Sequence, residues 1–206
     1  MRGGPARVFA AFDRSFYLET PAGIACVGGR GLGRGPLNAI VEEFESIPVG
    51  HSVVVELGQA RHWKPSAPPG RQEVPEIEIP ESIRGQAEAF LGWLGGADSP
   101  DDALIGLGPG LTPAGDDFVG GAMIALRAFG RQAQADRIAR WALPLAETRT
   151  SRISRAHLAC AAAGEGHEAL HAYLDGFRRA DLARLAQLGH SSGLDAAAGA
   201  LLALRA

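Results

Sequence analysis

The hydrophobic period changes once along this chain, at about Ser82, and that change limits its architecture more than any other feature. Before it, short apolar runs are separated by turn residues. "ARVFAAF" (6–12), "SFYLET" (15–20) and "GIACVGG" (23–29) are punctuated by Asp13-Arg14 and by Pro21-Ala22-Gly23, which predicts a β-meander. "HSVVVELG" (51–58) has the β-branched density of a further strand. The prolines of "EVPEIEIP" (73–80) confine it to a sheet edge or an extended arm. "RHWKPSAPPGRQ" (61–72) has loop composition, and "GRGLGRGPLNAIVEEF" (29–44) reads as a glycine-rich turn entering a short helix.

After Ser82 the apolar residues recur every three or four positions. Ile83, Ala87, Phe90 and Leu94 form one stripe, and Phe118, Ala122, Leu126 and Phe129 another. Ile153, His157 and Leu158, and then Leu194, Ala198, Leu201 and Leu202, continue the pattern. The expectation is an α+β protein: a β-rich part over residues 1–80 packed against an all-α part over residues 81–206. With a formal net charge of −3 and no basic face, nucleic acid is not an expected partner. No apolar run is long enough to span a membrane or serve as a signal peptide, so a cytoplasmic protein is expected. Cys26 and Cys160 stand far apart in different kinds of segment, as unpaired thiols in a reducing compartment do.

Chemistry concentrates in "GLGPGLTPAGDD" (106–117), a bent loop that runs straight into the apolar pattern "FVGGAMIALRAF". Pro113 biases Thr112 toward an extended backbone, Gly115 permits an unusual one, and Asp116 or Asp117 is placed to cap the helix. Two further helix starts have polar approaches. In "ETRTSRIS" (147–154), Thr148, Thr150 or Ser151 is the expected cap, beside Arg149 and Arg152; in "GHSSGLD" (189–195), the cap is Ser191 or Ser192, with Asp195 positioned to return a bond to the backbone. Helix starts carry unpaired N–H groups and partial positive charge, so three of them meeting in space make an anion receptor. Its expected ligands are the loop around Gly108, Gly110, Thr112 and Gly115, the group Thr148, Arg149, Thr150, Ser151 and Ser154, and the pair Ser191 and Ser192.

Carboxylates beside such a receptor repel an anion unless something else is bound. Either a divalent cation such as magnesium bridges Asp116, Asp117 and the anion, or the ligand carries amide N–H donors for the carboxylates as well as anionic oxygens. A carbamoyl compound fits the second case. His190 is the candidate proton carrier.

"LIGLGPGLTPAGDDF", "TRTSRIS" and "GHSSGLDAAAGAL" are similar, in order and spacing, to the signature blocks of a bacterial domain family with the hallmark "GLGPGLTPSGDD". "GRGPLN" (33–38) is similar to the N-terminal half of that family, so the resemblance covers most of the chain. Ala114 departs from it where serine is common. Members include the small third subunit of the oxamate carbamoyltransferase complex of allantoin breakdown, which interconverts oxalurate and phosphate with oxamate and carbamoyl phosphate. The resemblance implies carbamoyl or acyl transfer in company with other subunits. In that setting Arg149 and the loop amides neutralise developing charge, Asp116 or Asp117 orients an amide or holds a metal, and His190 carries a proton.

Other classes are open. A non-catalytic ligand-binding or scaffolding subunit is consistent with the lack of an obvious nucleophile. A magnesium-dependent phosphoryl-transfer enzyme would use the acidic pair, but has no Walker-type lysine, Lys64 being the sole lysine. "HEALH" (167–171) matches the H-E-x-x-H zinc pattern, yet no glutamate follows Glu168 to complete a usual ligand set, which disfavours a metalloprotease.

Overall fold

Alternation along the first strands decides which residues of the N-terminal sheet are covered. In the computed structural model, which describes residues 4–56, 58, 60–65 and 73–206, strands β1 (Gly4–Phe12), β2 (Ser15–Thr20) and β3 (Gly23–Gly28) form consecutive antiparallel hairpins. Ala6 and Val8 of β1 and Phe16 and Leu18 of β2 are buried together, with Val8 opposite Leu18 in register. Phe44 closes this cluster by stacking on Phe16 at 5.8 Å between ring centroids. Strand β4 (Asn38–Ile40) runs parallel to β3, and β5 (Ser52–Val55) antiparallel to β1, giving the order β4-β3-β2-β1-β5.

No α-helix follows the glycine-rich turn at 29–35, contrary to expectation. A single 3-10 turn, Arg30–Leu32, leads into β4 instead. Backbone pairing with β3 takes up the main-chain groups that a helix would have satisfied: Cys26 N–H donates to Leu37 O at 2.7 Å and Val41 N–H to Gly28 O at 3.0 Å. The 61–72 loop lies partly outside the described residues. Residues 73–80 form no strand, but Val74, Ile77 and Ile79 lay their side chains on the helical core as an extended arm.

By Cα proximity the chain divides into Met1–Lys64 and Pro65–Ala206. Among the described residues, the second unit holds seven α-helices: α1 (Arg84–Leu94), α2 (Ala114–Ala128), α3 (Gln132–Arg149), α4 (Arg152–Ala162), α5 (Glu168–Leu174), α6 (Arg179–Leu185) and α7 (Ser192–Arg205). α2 is apolar nearly all round and occupies the centre, as such a sequence requires. Phe118 of α2 meets Phe90 of α1 edge-on, in an aromatic cluster completed by Trp93 and Trp141.

α7 is the main neighbour of α2, and the seam between them is made of backbone. A Cβ added at Gly121 would collide with the carbonyl oxygen of Ala196, and one at Gly199 with that of Phe118. This close approach revises the stripe expected for α7. Leu194 is exposed, while Ala197, Ala198 and Ala200 are buried, because only small residues fit where two helix backbones touch.

Candidate functional site

The loop between Leu104 and α2 is shaped by three left-handed glycines: Gly106, Gly108 and Gly110, with φ of 81°, 117° and 95°. A side chain at Gly106 would strike the carbonyl oxygen of Arg149, so the loop lies directly against the end of α3. Gly115 N–H donates to Leu107 O at 2.9 Å and closes the loop onto the helix. The N-cap of α2 is Pro113, whose carbonyl accepts from Asp116 and Asp117 N–H; neither aspartate caps the helix, since both already lie in its first turn.

Freed from capping, Asp116 braces the junction from inside. It is 2% exposed. Its Oδ1 accepts from Gly106 N–H at 2.7 Å, and its Oδ2 accepts the hydroxyls of Thr150 and, at 2.6 Å, Ser154. One carboxylate thus ties the loop, the α3–α4 turn and α4 to the first turn of α2. Ser151 is the working cap of α4: its Oγ accepts from Ser154 N–H at 3.0 Å and donates to Leu111 O at 2.5 Å. On the other side, the Thr112 and Ser192 hydroxyls meet at 3.0 Å and join the loop to the start of α7. The starts of α2, α4 and α7 are therefore linked to one another through the 106–113 loop.

Asp117 faces α7. Burial pushes its carboxyl up to about 8, helped by the charges of Asp195 and Asp116 and opposed by hydrogen bonds from Ser192 and Thr112. Asp195, on α7, is 3% exposed and also raised by burial, against a hydrogen bond from Ser191. The Oδ2 atoms of both Asp117 and Asp195 are buried without a hydrogen-bond partner. Sequence reasoning assigned Asp195 to a capping box. Ser191 is indeed the α7 N-cap but makes no side-chain cap bond, and Asp195 turns inward instead. The signal that marks it is its position four residues after a Ser-Ser-Gly start on the side facing α2, which only the packing of the two helices reveals.

The remaining expected residues lie further out. Gly108 and Gly110 are in the exposed part of the loop. Thr148 is exposed in the last turn of α3, not at a cap. Arg149 is exposed, and its guanidinium donates to Asp102 O at 3.2 Å. His190 is exposed in the turn before α7.

The "HEALH" histidines do not share a helix face. His167 precedes α5 as its N-cap, its Nδ1 accepting from Ala169 N–H at 3.1 Å, while His171 Nε2 accepts from Gly166 N–H at 3.2 Å. Each imidazole has spent the lone pair that zinc would need. Among the described residues no group of three or more His, Cys, Asp or Glu is arranged to hold a metal ion. Burial raises both thiols, Cys160 to about 11, so neither is poised as a nucleophile. No helix among the described residues is long and apolar enough to cross a membrane.

Residues 104–204 match the model of a protein family described as oxamate carbamoyltransferase subunit AllH. No curated protein and no solved structure matches the chain.

Proposed function

Because residues 104–204 match the family model of oxamate carbamoyltransferase subunit AllH, the family its signature blocks resemble, we propose that this chain binds a small carbamoyl-type ligand where α2, α4 and α7 begin. The observation that carries this reading is the pair of orphaned carboxylate oxygens on Asp117 and Asp195, buried where three linked helix starts meet. Every residue of that junction, from Gly106 to Asp195, lies inside the family match.

The chemistry divides between the two sides. The loop amides and the starts of α4 and α7 supply partial positive charge for the anionic end of the ligand, with the hydroxyls of Thr112, Ser191 and Ser192 beside them. Asp117 and Asp195 face its amide. Arg149, near the loop but turned to Asp102, offsets charge that develops in transfer, and exposed His190 relays a proton to solvent. Magnesium held between Asp116 and Asp117 is the weaker version. It would displace the three protein donors on Asp116, whereas an amide at Asp117 leaves them in place.

In the reaction the family description implies, the oxamate amide nitrogen attacks the carbamoyl carbon of carbamoyl phosphate. A C–N bond forms, phosphate leaves, and the nitrogen gives up one proton. The chain's part is to hold the amide in line and keep water away from it. The test is calorimetric titration with oxamate and with carbamoyl phosphate, followed by a transfer assay with the partner subunits of the complex. Wild type is expected to bind at least one of them, and Asp117→Ala to cut transfer about 100-fold. No binding by wild type, together with undiminished transfer by Asp117→Ala, would remove the site from this junction.

A further inference from the structure

We propose that residues 108–112 are a strap that gates the α2/α4/α7 junction, closed over it in this structure and lifted to admit a ligand. The proposal rests on the reading of that junction as a ligand site and specifies how the site is entered.

Asp117 and Asp195 each have a buried carboxylate oxygen with no hydrogen-bond partner. A ligand meets these atoms only if something around them moves. The helices are fixed: α2 and α7 touch through backbone at Gly121 and Gly199, and Asp116 of α2 accepts the Ser154 hydroxyl of α4. What remains is the strap. The hydroxyl of Thr112 meets that of Ser192 at 3.0 Å, and these two hydroxyls also bond Asp117, so the strap is fastened at the carboxylate itself.

That fastening is slight. Among the described residues, no backbone-to-backbone hydrogen bond involves residues 108–112. Side-chain hydroxyls hold them instead: Thr112 on Ser192 and Asp117, and Ser151, whose Oγ donates to Leu111 O at 2.5 Å. Just before the strap the chain is anchored, with Gly106 N–H donating to Asp116 at 2.7 Å and Leu107 O accepting from Gly115 N–H at 2.9 Å. Gly108 and Gly110 follow, exposed, with φ of 117° and 95° on either side of Pro109. Two glycines flanking a stiff proline make a pair of swivels joined by a rigid link, and Gly110 has open space around it. Leu111 is 42% exposed with the strap closed, so lifting it gives up little apolar burial. A pair of neutral hydrogen bonds favours the closed state by roughly 10- to 100-fold, which leaves the open state a minor but reachable population. Closing again after a ligand has entered shuts water out.

The test locks the strap without altering a group assigned to binding. In a Cys160→Ala background, Leu111→Cys and Leu194→Cys put thiols on the strap and on α7, beside Thr112 and just beyond Ser192, and a short rigid bis-maleimide bridges them. The same variant capped with N-ethylmaleimide carries the bulk without the tether. Association of radiolabelled oxamate and carbamoyl phosphate with the full chain is timed by rapid filtration. The bridged form is expected to associate at least about tenfold more slowly than the capped form. Equal rates overturn the proposal and leave the ligand site standing. Opening is also read without a ligand, as the rate at which chymotrypsin cuts after Leu111, followed by mass spectrometry. Thr112→Val keeps the side-chain shape and removes the hydroxyl, so this cut is expected to quicken about fivefold. An unchanged rate overturns the proposal. A quickened cut in a protein whose wild type binds neither probe removes the ligand-site reading and the strap's role as its gate, while the opening of the segment stands.

Discussion

Adjacent carboxylates on the first turn of α2 meet opposite fates: Asp116 accepts three donors, while Asp117 has an oxygen with none. Removing the charge of Asp116 leaves Gly106 N–H, Thr150 and Ser154 competing for a weaker acceptor and places an N–H₂ among donors. Asp116→Asn is therefore expected to cost about 2–4 kcal/mol of stability in urea unfolding. A loss below about 1 kcal/mol would mean that the brace does not hold the loop. The motif marked this aspartate pair as special, but nothing in "GDD" says which member is structural. That depends on Thr150 and Ser154, which lie far along the chain, and on Asp195, whose local spacing imitates a capping box. Residue types were legible in the sequence; their partners were not, because partnership is set by packing.

Helices themselves were read well where large apolar residues recur, as at Ile83, Ala87, Phe90 and Leu94, all of them buried in α1 or the turn before it. The reading weakened at α7, where glycine and alanine make the contact and the exposed Leu194 had been assigned to the stripe. Small residues leave little trace in hydrophobic periodicity even when they form the tightest seam. The 29–44 segment went astray for a related reason: pairing with β3 overrode a local helical pattern. Two glycines test the account of the seam. Gly121→Ala puts a methyl group against the Ala196 carbonyl and is expected to destabilise by more than about 3 kcal/mol. Gly85→Ala, at an exposed α1 position with open space around it, is expected to stabilise by about 0.5–1 kcal/mol. Thermal or urea unfolding of the two variants should move in opposite directions; a neutral Gly121→Ala would contradict the backbone contact.

For the molecule as a whole, buried titratable groups set opposing limits on stability. His157 and His171 are lowered by burial, and by the charge of His167, from 6.5 to about 4. Between those values the unfolded chain binds more protons than the folded one, so stability rises as pH climbs from about 4 to 6.5. Asp117 works the other way. Folded it keeps its proton up to about 8, while unfolded it releases it near 3.8, so its contribution falls as pH rises between those values. The two effects together predict a stability maximum near pH 6.5, with an alkaline decline that Asp117→Asn flattens. Thermal melts across this range check the prediction, and an unchanged alkaline limb in the variant would refute it. The same packing has a consequence for rigidity. Thr112, just before α2, meets Ser192 at the start of α7, and Arg131, just after α2, grips the carbonyls of Ala203 and Leu204 at its end. Gripped at both ends and in backbone contact in the middle, neither helix can slide or tilt against the other without breaking contacts at three places along their shared length.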